Sequence, residues 1–336
     1  MEKLKKLLAK KSSKLIIRIL ITLVLITILT YTIGAKNIFN SLIHVKITPL
    51  AIAWAFGIFI HYLEASQMKR LMQESGMEIS TGRAFLAGSL SALYGLIIPG
   101  DILAGAAKWA NLSAAVGEKA GVFNSIVYRR VIILLPEIFV GLIAFWINNP
   151  TDNKIFPVVM GILSAFVFIF SILFYHPYTG QKLNDFACRF STSIFPERIS
   201  KRIQTVLSSL KNFYMFSWRF HLGMLLRSLL IMLVGYLNFY FSTRSVGINL
   251  PILVIIWVKS IIVIARQLPI SISGLGVRES ILVGALSLFG VPEAVAFSLG
   301  ILRFTNIIIY GLIGAGYQIS LTFGWVKWND KKPKAK

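Results

Sequence analysis

Apolar runs of about 18 or more residues recur along nearly the whole chain, and each is long enough to cross a hydrocarbon core of about 30 Å as a helix. They cover roughly 15–33, 49–68, 125–147, 155–175, 220–241 and 294–323, with a shorter run at 252–265. Another follows Arg83 and ends at Pro99–Gly100–Asp101. In lipid every backbone N–H and C=O must be satisfied internally, so such runs form helices. The expected fold is all-α: a polytopic membrane protein with about eight transmembrane helices plus re-entrant or broken helical segments. Hydrophobic residues make up 56% of the chain and charged residues 14%. That leaves too little polar surface for a water-soluble protein of this length.

Residues 1–336 read as a single integral membrane domain with a basic N-terminus (1–14), a polar and basic segment (176–217) and a basic tail (327–336). The formal net charge is +22. Its distribution speaks against nucleic-acid binding, because the lysines and arginines gather between apolar spans, the positive-inside pattern. Segments assigned to the cytoplasm hold 22 Lys or Arg, and the outer loops hold only Lys36, Lys46, Lys154 and Arg244. Both termini are therefore expected in the cytoplasm, with the protein in the cell membrane. The first run resembles a signal peptide but is too long for one and lacks a small-residue cleavage site, so it reads as a retained helix. Residues 196–216 place Ile199, Ile203, Val206, Leu207, Leu210 and Tyr214 on one face, as for a helix lying on the cytoplasmic surface.

Cys188 is the sole cysteine, and His44, His61, His176 and His221 are scattered. Neither a disulfide nor a metal site is expected, and no cofactor.

Two interruptions stand out. YGLIIPGDILAGAAKWANL breaks at Pro99 and Gly100, and RQLPISISGLGVRESILVGAL breaks at Pro269, Gly274 and Gly276. Each runs from apolar residues through a break to a charged residue and a small-residue helix. Paired, interrupted segments in the two halves of a membrane chain point to a transporter binding site and suggest an inverted repeat. The alternative is that Pro and Gly merely permit kinks and close packing.

Ionisable side chains at membrane depth cost about 2.5–3.5 kcal/mol each on insertion scales. The candidates are Asp101, Lys108, Arg129, Arg130, Glu137, Lys259, Arg266, Arg278, Glu279 and Arg303. Of these, Asp101, Lys108, Arg130, Arg266, Arg278, Glu279 and Arg303 are the expected substrate or lipid contacts. Asp101, Glu137 and Glu279 are the expected proton carriers. The basic surplus suits an anionic group such as a phosphate. Structural roles stay open: Asp101 as a helix cap, Glu137 as partner of Arg130 or Lys108, Lys259 as partner of Glu279, and Arg266 as a residue snorkelling to the rim.

The stretch LPISISGLGVRESILVGALSLFGVPEA, with the Ile98–Asp101 break and the Tyr128–Glu137 stretch, resembles the lysylphosphatidylglycerol synthase transmembrane-region, or flippase-like, family. The resemblance covers about residues 10–325. It implies a membrane module that translocates an anionic lipid, as in the N-terminal part of the multiple peptide resistance factor. Asp101 next to Gly100 departs from the family, where a basic residue often follows the break. No room remains after Phe323 for the soluble aminoacyl transferase, so a lysyltransferase label would be inherited and no enzyme activity is expected.

The chain has no G-x-x-x-x-G-K-[ST] loop, so direct ATP coupling within it is not expected. The leading reading is a flippase-like carrier of an anionic lipid or lipid-linked intermediate, with anionic membrane lipids as partners. A secondary transporter of a soluble anion, and an accessory subunit of a separate lipid synthase or glycosyltransferase, are the alternatives. A homo-oligomer stays open.

Overall fold

The computed structural model describes residues 27–97, 101–148, 155–194, 216–266 and 275–323, together with Val24 and scattered residues between 196 and 208. Among these residues all regular structure is helical. After a helical stretch ending at Ile33, the elements are α1 (Ala35–Ile43), α2 (Ile47–Glu74), α3 (Thr81–Ile97), α4 (Asp101–Val116), α5 (Lys119–Asn148) and α6 (Ile155–Tyr175). They continue as α7 (Pro177–Ile194), α8 (Trp218–Ser245), α9 (Ile252–Ala265), α10 (Val277–Ser287) and α11 (Glu293–Thr322). Helices α2, α5, α8 and α11 are each long and apolar enough to cross a membrane. Helix α6 leaves Ile155, Val158, Ile162, Phe166 and Ile169 exposed. In water that face would be costly, and in lipid it is matched to its solvent. The chain is a polytopic helical membrane protein.

The two halves repeat. Helices of 28, 17, 16 and 30 residues (α2 to α5) are followed by helices of 28, 14, 11 and 30 residues (α8 to α11). Each half has its own apolar core. Met68, Met72, Ala87, Leu112 and Val122 form the first. Phe239, Val258, Leu282, Leu286 and Leu299 form the second, capped by Ala144 from α5.

Helices α2 and α8 join the halves and run antiparallel: Phe56 stacks on Phe241, near the end of α8, while Gln67 reaches back to Met224. Gln67 Nε2 donates to the Met224 carbonyl (3.2 Å), and Asn238 Nδ2 donates to the Ala53 carbonyl (2.6 Å). Gln67 and Asn238 are each the twenty-first residue of their helix, and Ala53 and Met224 each the seventh. The two hydrogen bonds are thus equivalents under a two-fold axis perpendicular to the helices, the geometry of an inverted repeat.

The halves also exchange partners. Helix α3 packs on α11, and its counterpart α9 packs on α5. Close approach comes from glycine, as in other membrane bundles. A Cβ on Gly314 would strike the backbone of Ser89, and one on Gly141 would strike the side chain of Ser260. Ser89 and Ser260 are each the ninth residue of α3 and α9.

Pro99, Gly100, Pro269 and Gly274 lie outside the described residues. The helices flanking them are short, and within each pair they pack on one another. Sequence periodicity put a helix at 196–216, most of which also lies outside the described residues. The structure adds α7 just before it, in a stretch the sequence left as polar linker.

Candidate functional site

Three clusters of charge sit inside the bundle. The first joins α5 to α9. Glu137 follows Pro136, the one proline within α5, and is 2% exposed. Its Oε1 accepts from Lys259 Nζ (2.8 Å) and Ser260 Oγ (3.0 Å), and its Oε2 from the same Nζ (3.0 Å). The ammonium also lies 4.2 Å from the centroid of the Tyr236 ring. Gly235 makes room for it, since a Cβ there would come within 2.9 Å of the lysine Cε. The pair corrects two expectations: Glu137 is matched by Lys259 rather than by Arg130 or Lys108, and Lys259 does not reach Glu279. Residues 122 apart met here because α9 crosses α5 at its glycine, a contact that spacing within one helix cannot reveal.

The second cluster is built on the start of α10. Gly276 has φ of 82°, the left-handed region that glycine alone enters cheaply, and turns the chain into the helix. Its N–H donates to Glu279 Oε2 (2.8 Å), while Arg278 Nε donates to Glu279 Oε1 (3.0 Å), with a second bond from Arg278 Nη2. Gly300 of α11 admits the glutamate stem, because a Cβ there would meet Glu279 Cγ at 2.8 Å. Arg303 stands across from this pair. Its guanidinium lies 4.5 Å from the Phe239 ring centroid, and Nη1 donates to Asn238 Oδ1 at 3.3 Å. Its Nε is buried with no hydrogen-bond partner among the described residues. Arg278 and Arg266 are its charged neighbours, and no carboxylate among the described residues lies within ion-pair distance. Arg303 is thus a membrane-embedded cation held by an amide and an aromatic face.

The third cluster joins α2, α4, α5 and α11. Arg129 Nη2 is 2.7 Å from Glu64 Oε1, and His61 Nδ1 is 3.1 Å from Glu64 Oε2. The His61 ring stacks on Tyr310 at 3.7 Å between centroids, and Tyr310 donates to the Phe85 carbonyl (2.7 Å). Lys108 is within electrostatic reach of both Glu64 and Arg129.

An apolar groove reaches the second cluster from outside. It has a volume of about 360 Å³ and is lined by Phe39, Leu42, Leu275, Phe297 and Ile301, with Glu279 at its polar end.

A family model for the lysylphosphatidylglycerol synthase TM region matches residues 15–314. The chain belongs to that family. No curated protein matches it.

On this lysylphosphatidylglycerol synthase TM region fold, the expected site residues divide. Arg278, Glu279 and Arg303 come together with Gly276, and Lys108 joins the third cluster. Arg130 is exposed, and it is the adjacent Arg129 that pairs with Glu64 inside the bundle. Arg266 closes α9 and is exposed. Asp101 opens α4, and its side chain lies outside the described residues. Glu64 and His61 were not singled out by sequence reading. Their signal was present: an acid and a histidine three apart, on one helix face, near the end of a long apolar run.

Proposed function

We infer that this membrane protein moves an anionic lipid, or a lipid-linked intermediate, across the bilayer. Headgroup binding falls to Arg303 and Arg278, and the acyl chains follow the apolar groove. The observation that carries the reading is the juxtaposition at Glu279: an apolar groove of about 360 Å³ ends on a buried ion pair beside an arginine with no carboxylate partner among the described residues. A buried cation of this kind is costly unless an anion completes it. Planar guanidinium groups bind phosphate oxygens in pairs, and low dielectric strengthens each such bond. A groove open to the apolar exterior lets the headgroup enter with its tails still in lipid, which a soluble anion would not need.

The short helix pairs α3–α4 and α9–α10 fit re-entrant elements, one from each half. Glu137 and Glu279 are the carboxylates placed to exchange protons during the cycle. The cell membrane, with both termini in the cytoplasm, fits the charge distribution. A separate enzyme would make the lipid that this chain moves.

The test is reconstitution of the full chain into liposomes containing headgroup-labelled phosphatidylglycerol, with transbilayer movement followed by chemical quenching of the outer leaflet. Movement is expected with the protein and is expected to fall at least about tenfold in Arg303→Ala, which removes a charge-assisted contact while orphaning no carboxylate. Equal rates with and without protein would reject the reading.

A further inference from the structure

The inverted repeat places a second arginine where the proposed headgroup site has its first. Arg129 and Arg303 are each the eleventh residue of a 30-residue helix, in α5 and α11. Their surroundings differ in one respect. Glu64, which pairs with Arg129, is the eighteenth residue of α2, and the eighteenth residue of α8 is Gly235. The first-half arginine is therefore covered by a carboxylate, and among the described residues its second-half counterpart is not. On the side of α9 the asymmetry runs the other way: Lys259 of α9 corresponds to the uncharged Gly88 of α3, and Lys259 neutralises Glu137.

Other groups around Arg129 point to a ligand. Its Nε is buried without a hydrogen-bond partner among the described residues. Lys108 on α4 adds a second positive charge. One turn further along the same face of α4, Asn111 is 2% exposed, and neither its Oδ1 nor its Nδ2 has a partner among the described residues. Buried amides are ordinarily satisfied, so an unpaired one a turn from Lys108 marks a place where a polar group belongs.

We propose that Arg129 and Lys108 form a second binding position for a phosphate-type anion, the inverted-repeat counterpart of the Arg303 position, and that Glu64 occludes it until Glu64 takes up a proton. The proposal rests on the anionic-headgroup reading and extends it to two positions related by the two-fold axis. In the occluded state Glu64 occupies the guanidinium. When the carboxylate is protonated it loses its charge, Arg129 keeps its own, and a phosphate oxygen replaces the carboxylate oxygen. The groups facing Glu64 are His61 on its own helix, Arg129 from α5, Lys108 from α4 and Tyr310 from α11. A bound anion, by offsetting Arg129 and Lys108, favours proton uptake by Glu64, which couples the two events.

The test uses purified full-length protein in uncharged detergent, titrated at neutral pH with short-chain phosphatidylglycerol and, in a parallel arm, with inorganic phosphate, using calorimetry. Wild type is expected to bind one equivalent of the lipid, and Glu64→Gln two. In the Glu64→Gln background, Arg129→Gln is expected to remove the second equivalent and spare the first, and Arg303→Gln to do the reverse. Acidification of wild type should reproduce the Glu64→Gln stoichiometry. Thermal unfolding of each variant checks that the fold is retained, and Lys108→Gln, which breaks no ion pair, serves as a second probe of the new position. Unchanged stoichiometry in Glu64→Gln, or a second equivalent that survives both Arg129→Gln and Lys108→Gln, would overturn the proposal. Filling of the position by phosphate alone as well as by lipid would assign it to free anions. Failure of wild type to move lipid, with two-position binding intact, would reject the transport reading alone.

Discussion

Lys259→Met removes the charge of a buried ion pair while keeping most of the side-chain volume. Glu137 is 2% exposed, and of its three hydrogen bonds two come from Lys259 Nζ. The variant leaves a carboxylate inside the bundle with only the Ser260 hydroxyl. Breaking a buried pair by removing one partner typically costs about 3–5 kcal/mol, most of it the desolvation of the orphaned charge. Replacing both partners costs far less, since nothing charged is stranded, so Glu137→Gln with Lys259→Met should recover about 2 kcal/mol or more relative to Lys259→Met alone. The assay is reversible or scan-rate-controlled unfolding in a mild detergent, with the single and double variants in one cycle. Lys259→Met as stable as wild type, or a double variant losing as much as the two singles together, would refute the claim that this pair holds α5 against α9.

Gly314→Ala is expected to destabilise by about 1–3 kcal/mol, because its Cβ meets the Ser89 backbone, which cannot rotate aside; Gly316→Ala, whose Cβ meets nothing within 4 Å, is the control in the same unfolding assay. Ile301→Trp should narrow the groove at Glu279, slowing movement of long-chain phosphatidylglycerol while leaving binding of inorganic phosphate unchanged; equal slowing of both would show that the groove is not a tail path.

The membrane class was legible in the sequence because it depends on length and composition alone. A run such as 155–175, with no charge, can only be buried in lipid or protein, whatever it packs against. Gly276 and Glu279 stood out in the sequence as a break followed by charge, but that the glutamate closes back on the Gly276 N–H came from the structure. The lone acids were harder. Glu137 looked paired with Arg130 or Lys108, both in the same half of the chain, but its partner comes from α9 through a crossing between halves. Arg129 and Arg130 are adjacent and chemically alike, and a helix turns about 100° per residue, so only the packing of α2 on α5 decides which of them enters the bundle.

What the sequence determined by itself was the medium and the building blocks: helices long and apolar enough to cross a membrane, because lipid leaves backbone groups no other partner. Pairing was decided only in three dimensions. Gln67 with Met224, Asn238 with Ala53, Arg129 with Glu64 and Glu137 with Lys259 each join different helices. Electrostatic and hydrogen-bond energies fall off within a few ångströms. Where the two-fold equivalence breaks, with Gly235 standing opposite Glu64, Arg303 has among the described residues no carboxylate like that of its counterpart.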